Sequence, residues 1–90
     1  MNLNKEQIET IEEMAQLFYS PEEIAVNIEE DPDELRPLIL AKTGAAYNAY
    51  MKGWLTGDIA LRQSIARAAE NGSNPAQQMM RDYQKQNTLL

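Results

Sequence analysis

The chain contains no cysteine and no histidine. The first absence excludes a disulfide framework and a thiolate metal site. The second removes the commonest general base and the commonest metal ligand. No segment alternates apolar and polar residues over the length of a strand. Long apolar runs are missing too: the longest, Leu38-Ile39-Leu40-Ala41, is far too short to span a bilayer. The opening MNLNKEQIET lacks the basic-then-apolar order of a signal peptide. Glycine is scarce, and no phosphate-cradling loop is present; AKTG around Lys42 has some of its letters without its spacing. No catalytic residue, metal or cofactor is implied. The carboxylates sit at helix starts and on polar helix faces, where solvation accounts for them. What remains is a soluble, cytoplasmic, non-enzymatic protein of one small domain, or one domain with an appendage.

What is present is acid, unevenly placed. The net charge is −6. Residues 1–34 hold eleven acids and one base, Lys5, whereas residues 35–90 hold three acids (Asp58, Glu70, Asp82) and seven bases. Such a split suggests two faces with different tasks.

Four start signals place a capping side chain three residues before Glu or Gln: Asn4 and Gln7, Ser20 and Glu23, Asp31 and Glu34, Asn74 and Gln77. The first side chain can accept from a free N–H of the opening turn, and the second can reach back to the cap's own N–H. Pro21, Pro32 and Pro75 follow three of these caps, where a missing N–H costs nothing. The first helix is expected from about Lys5 to Phe18, with Ile8, Ile11, Ala15 and Phe18 on one face. The second runs from Pro21 to about Ile28 and buries Ile24, Ala25 and Ile28. The third starts at Pro32 and buries Leu35, Leu38 and Ile39. Pro37 falls where its ring disturbs the first full turn, so a kink or a one-turn false start is expected there.

After Thr43-Gly44 one long helix is expected from Ala45 to Asn71, stopped by Gly72. On a helical wheel Tyr47, Tyr50, Met51, Trp54, Leu55, Ile59, Leu61, Ile65, Ala66, Ala68 and Ala69 cover an arc of about 180°, wider than the roughly 100° a surface helix needs. At about 40 Å this helix would exceed the roughly 31 Å diameter of a compact globule of this size. It is therefore expected to project and to seek a partner for its broad apolar face. Part of that partner is a last helix from Pro75, with Ala76, Met79, Met80 and Tyr83 on one side; the short NGSN link makes the pair antiparallel. Asp58 and Arg62 lie inside the arc, four apart with the acid first. They form either an exposed pair along the helix or a register-fixing pair between subunits. Gly53 and Gly57 weaken the helix by roughly 1 kcal/mol each against Ala, and Gly57-Asp58 is an alternative break.

The fold class is thus all-α: a helix-turn-helix, homeodomain-like bundle over residues 1–43, then a long antiparallel helical hairpin over residues 44–90. The expected oligomer interface is Tyr50, Trp54, Leu55, Asp58, Leu61, Arg62, Ile65, Met79 and Met80. The expected DNA contacts are Arg36, the best-placed cation of the third helix, with Lys42 and Lys52.

YSPEEIAVNIEEDPDELR, followed by YNAYMKGWLTGDIALRQSIARAAENGSNPAQQMM, resembles the small subunit of phage terminases. The features that carry the resemblance are Ser20-Pro21-Glu22-Glu23-Ile24-Ala25, Tyr50 with Lys52-Gly53, Arg62, Ala68-Ala69-Glu70-Asn71-Gly72, and Pro75-Ala76. The resemblance covers residues 17 to about 83. It implies a helix-turn-helix that recognises viral double-stranded DNA, a hairpin that assembles a homo-oligomeric ring, and a C-terminal segment that engages the large terminase subunit, all in the cytoplasm of a bacterial host. Two departures are visible. The motor-binding segment is absent or reduced to KQNTLL. The motif itself carries seven Asp and Glu residues between Tyr19 and Arg36, where a phosphate lattice rewards cations. Its tight turn, Ile28-Glu29-Glu30-Asp31, has no glycine. Two rival readings follow: a small dimeric helix-turn-helix transcription regulator, and a protein-interaction module that never touches DNA.

Overall fold

The computed structural model describes residues 1–87; Thr88-Leu89-Leu90, the end of the KQNTLL stretch, lies outside them. Among the described residues the secondary structure is helical throughout, with no strand: α1 Lys5–Gln16, α2 Pro21–Asn27, α3 Pro32–Leu40, α4 Ala45–Glu70 and α5 Asn74–Gln86. Among the described residues no helix is long and apolar enough to cross a membrane. Two compact units divide the chain, Met1–Asp58 and Ile59–Leu90.

In the first unit, α1 and α2 open on complete capping boxes. Asn4 accepts from the Gln7 N–H at 2.7 Å while Gln7 Oε1 accepts from the Asn4 N–H at 3.0 Å. Ser20 and Glu23 repeat the exchange at 3.2 and 3.0 Å. Asp31 also caps α3, but it accepts from the Asp33 N–H at 2.8 Å, one residue earlier than the box pattern expects. α3 runs unbroken from Pro32 to Leu40 with Pro37 inside it, so the false start does not occur. The ring removes only the bond that the Asp33 carbonyl would have accepted.

α1 ends sooner than its apolar spacing suggested. Leu17 is the C-cap and Phe18 takes a left-handed φ of 65°. The Phe18 N–H donates to Ala15 O at 2.9 Å and the Tyr19 N–H to Met14 O at 3.2 Å, the double closure usually built on glycine. α2 ends the same way on Glu29, φ 59°, with Glu29 N–H to Val26 O and Glu30 N–H to Ala25 O at 3.2 and 2.9 Å. Phe18 is consequently exposed rather than on the core face, and Leu17 is exposed next to it.

The core consists of Ile11, Ile24, Ala25, Leu35, Ile39, Ala46 and Ala49, with Leu3, Ile8, Met14, Ile28, Leu38 and Tyr50 packed around it. α4 enters this unit by its smallest side chains. Its buried residues are Ala46, Ala49, Gly53 and Gly57, spaced three and four apart on one face. A Cβ on Gly53 would run into the carbonyl oxygen of Glu12, with Ala15 Cβ 3.0 Å away; one on Gly57 would run into the carbonyl of Gln16. The two glycines are therefore the seam on which the backbone of α1 lies, not mere weak points. This contact ties Ala45–Asp58 to the N-terminal unit, whereas the sequence reading drew its boundary after residue 43. α4 does not break at Gly57.

In the second unit, α4 stops as expected at Gly72, φ 96°, whose N–H donates to Ala69 O at 3.1 Å while the Ser73 N–H reaches Ala68 O at 3.0 Å. α5 begins one residue earlier than its Asn-Pro signal implied. Ser73, not Asn74, is the N-cap, accepting from the Ala76 N–H at 3.3 Å. Gln77 is unavailable for a capping box because its amide donates to Ala69 O at 3.1 Å. Ala76 is buried, and the Arg62 guanidinium lies 3.9 Å above the Tyr83 ring.

Candidate nucleic-acid interface and assembly surfaces

The segment expected to meet DNA is α2, the turn at residues 28–31, and α3. Its turn is held from outside. The Gln7 amide donates to Ile28 O at 3.2 Å and to Glu30 Oε1 at 3.0 Å, so one side chain of α1 both completes a capping box and clamps the turn. That clamp, with Glu29 closing α2 in the left-handed region, is how the turn forms without glycine. Nothing in the local spelling of the turn shows it, since the partner lies 21 residues upstream.

Arg36 is exposed on α3, but its guanidinium is engaged: Nη1 donates to Glu22 Oε1 of α2. The Arg36 hydrogen bond holds the Glu22 carboxyl below the usual carboxylate range. Both groups face solvent, so the pair is worth little to stability. Its consequence is electrostatic. The one cation of the motif is neutralised by a carboxylate of the motif, and Glu23, Glu29, Asp31, Asp33 and Glu34 remain exposed around it.

The other two expected DNA contacts lie outside α3. Lys42 follows α3 with a left-handed φ of 62° and borders an open apolar groove of about 320 Å³, lined also by Ile39, Leu40, Tyr47, Tyr50 and Met51. Lys52 is exposed on α4. No hydrogen bond or ion pair among the described residues joins the three. Neither is any group of three or more His, Cys, Asp or Glu placed to hold a metal there.

The expected interface residues divide by unit. Tyr50 is half-buried and its hydroxyl donates to Tyr19 O at 3.2 Å. Burial, with the Glu22 carboxylate second, pushes its phenol pKa up. Trp54 meets Phe18 edge to face, ring centroids 5.6 Å apart at 69°, which is the use found for the strained Phe18. Leu55 is exposed and Asp58 half-buried. In the second unit Leu61 and Met79 are exposed while Arg62, Ile65 and Met80 are half-buried; Arg62 is engaged on Tyr83. The single broad arc read from the sequence is thus used piecemeal. Outside that arc, Gly53 and Gly57 meet the backbone of α1 while Ala46 and Ala49 join the core, and most of the large side chains inside the arc before residue 62 remain in solvent. The signal that could have revealed this was the small-residue series Ala46, Ala49, Gly53, Gly57.

No family model matches the chain, and no curated protein or solved structure was found to be significantly similar to it.

Proposed function

We propose that this chain is a non-catalytic, self-associating adaptor of the terminase-small-subunit kind, a helix-turn-helix bundle followed by a helical hairpin, acting in DNA packaging in the cytoplasm of a bacterial host. Its partners are further copies of itself, double-stranded DNA and a large terminase subunit. The observation that carries the reading is the apolar surface of α4: Trp54, Leu55, Ile59 and Leu61 are all exposed, on a helix that buries alanine and glycine. Covering exposed apolar side chains of this size favours association by about 25 cal/mol per Å². DNA contact is weak per copy. Arg36 must exchange Glu22 for a phosphate, with Lys42 and Lys52 as further backbone contacts, and assembly multiplies the sum.

Light scattering of the chain with and without duplex DNA tests both halves. Assembly should exceed a monomer, and Trp54→Glu should lower the mass by placing a charge in a desolvated contact. Asp33→Asn with Glu34→Gln should tighten DNA binding and Arg36→Ala weaken it, with affinity falling by a slope of roughly −0.9 per phosphate neutralised. A monodisperse monomer at high concentration defeats the adaptor reading. The Arg36–Glu22 pair specifically favours a second reading, a protein-interaction module that does not bind DNA. Assembly without duplex binding at low salt, in wild type and in the neutralised variant alike, selects it.

A further inference from the structure

The Met1–Asp58 unit holds twelve acids and four bases, so as a whole it repels anions. The apolar groove of about 320 Å³ beyond α3 departs from that rule. Ile39, Leu40, Lys42, Tyr47, Tyr50 and Met51 line it together, and no acid is among them. Ile39 is 4% exposed and belongs to the core, Leu40 is exposed, and Tyr47, Tyr50 and Met51 of α4 are half-buried. The bond from the Tyr50 hydroxyl to Tyr19 O fixes that ring. Lys42 is exposed, and no ion pair among the described residues takes up its ammonium. Its left-handed φ of 62° is a conformation that a lysine adopts at a cost.

The geometry points to a ligand site in this groove for an anionic amphiphile, a single alkyl chain ending in a carboxylate. The chain lies against Ile39, Leu40, Tyr50 and Met51, and the carboxylate meets the Lys42 ammonium. Apolar walls with very few polar groups are the makeup of a small-molecule site. The volume falls at the small end of such sites, about 300–1,000 Å³. Charge selects the head group, since Lys42 is the one ionised side chain of the lining. Tyr47 adds to this preference. It lies in the first turn of α4, which holds no acid, and that end of a helix favours negative charge. Peptide occupants fit less well. An extended peptide finds no strand edge to pair with among the described residues, and an amphipathic helix needs a groove running under several of its turns. The site stands independently of the self-association and the DNA contact proposed above.

The test follows the backbone and methyl NMR signals of the full chain while octanoate is added. Signals of Ile39, Leu40, Tyr47 and Met51 should move and saturate, and those of Leu17 and Val26, exposed elsewhere on the unit, should not. Hexanoate should bind more weakly, by up to about fourfold for each methylene lost. Lys42→Gln should lower octanoate affinity about three- to fivefold, the worth of a solvent-exposed ion pair, and Lys42→Arg should restore it. Lys42 is exposed, so neither variant disturbs the core, and an unchanged helical circular dichroism spectrum checks this. Uncharged 1-octanol should bind wild type no better than octanoate binds Lys42→Gln. Absence of a saturable shift in the groove would overturn the site. So would equal shifts at Leu17 and Val26, an affinity indifferent to Lys42→Gln, or octylammonium moving the same groove signals as strongly. Groove signals that move when the protein concentration alone is raised would give the groove to a second copy, and would overturn the ligand site too. A chain that takes up octanoate as expected, yet stays monomeric and ignores duplex DNA, keeps this site and loses the adaptor reading.

Discussion

The Met1–Asp58 and Ile59–Leu90 units are held together by different means. The first has a core in the ordinary sense: Ile11, Ile24 and Leu35 are wholly removed from solvent, and four helices contribute to it. In the second, Ala76 is the buried hydrophobic residue among those described. Its order comes from local devices instead: a glycine stop, a serine cap, the Gln77–Ala69 bond and the Arg62–Tyr83 stack. Segments below about 40 residues seldom bury enough apolar surface to fold without a staple or a partner. The contrast teaches that helix-forming signals and core-forming signals are separable. Among the described residues both units are mainly helical, yet the large fully buried side chains belong to the first.

The largest effects should fall on the first unit. Leu35→Ala or Ile24→Ala should cost about 2–5 kcal/mol, the ordinary penalty for emptying a fully buried site. Met80→Ala, at a half-buried position of the second unit, should cost under about 1.5 kcal/mol, since only part of its surface leaves water. Urea denaturation measures both, and equal losses would erase the contrast.

The next effect reverses a rule. In an exposed helix Gly→Ala stabilises by roughly 1 kcal/mol. Gly53→Ala should instead destabilise by about 1–3 kcal/mol, because its methyl meets a backbone carbonyl rather than a flexible side chain. A higher melting temperature for this variant would mean that α1 does not lie on α4 there.

Smaller again are the caps. Ser20→Ala and Asp31→Ala should each cost about 0.5–2 kcal/mol. In the second unit Ser73→Ala should exceed Asn74→Ala, because Ser73 makes the capping bond. The opposite order would restore the cap read from the Asn-Pro spelling.

The smallest effect is electrostatic and belongs to Glu22. Its carboxyl titrates below its unfolded value, chiefly through the Arg36 hydrogen bond. The stabilisation is therefore present above the unfolded carboxylate pKa and is lost as pH falls through the folded one. In Arg36→Met the Glu22 titration, followed by NMR, should move upward, toward the ordinary range. An unchanged Glu22 would mean that the pair does not persist in solution.

These contrasts also mark what was legible in the sequence. The capping boxes at Asn4 and Ser20, the stop at Gly72 and the core residues Ile11, Ile24, Leu35 and Ile39 could be read because each depends on side chains within a few positions of one another. The early end of α1 and the left-handed closures of α1 and α2 could not. Phe18 and Glu29 adopt a conformation their side chains disfavour, and tertiary contacts hold it: Trp54 against Phe18, and Gln7 against the turn beyond Glu29. The packing face of α4 was hidden for the converse reason. Hydrophobic periodicity weights large residues, so a seam of Ala46, Ala49, Gly53 and Gly57 reads as the polar side. Among the expected DNA contacts, the position of Arg36 was legible, but its engagement by Glu22, fourteen residues away, was not.

The non-glycine residues that take left-handed backbone have one more consequence, for engineering. Phe18, Glu29 and Lys42 each occupy a conformation that costs an L-residue about 1–2 kcal/mol and glycine almost nothing. Glycine gives back roughly 0.5–1 kcal/mol through the extra freedom of its unfolded chain, so each exchange leaves a modest net gain. Phe18 would forfeit its ring contact with Trp54, which makes Glu29 and Lys42 the cleaner sites. The chain therefore holds a reserve of thermal tolerance at two exposed positions, recoverable without altering any residue of the core, and a hardened variant of this scaffold should begin there.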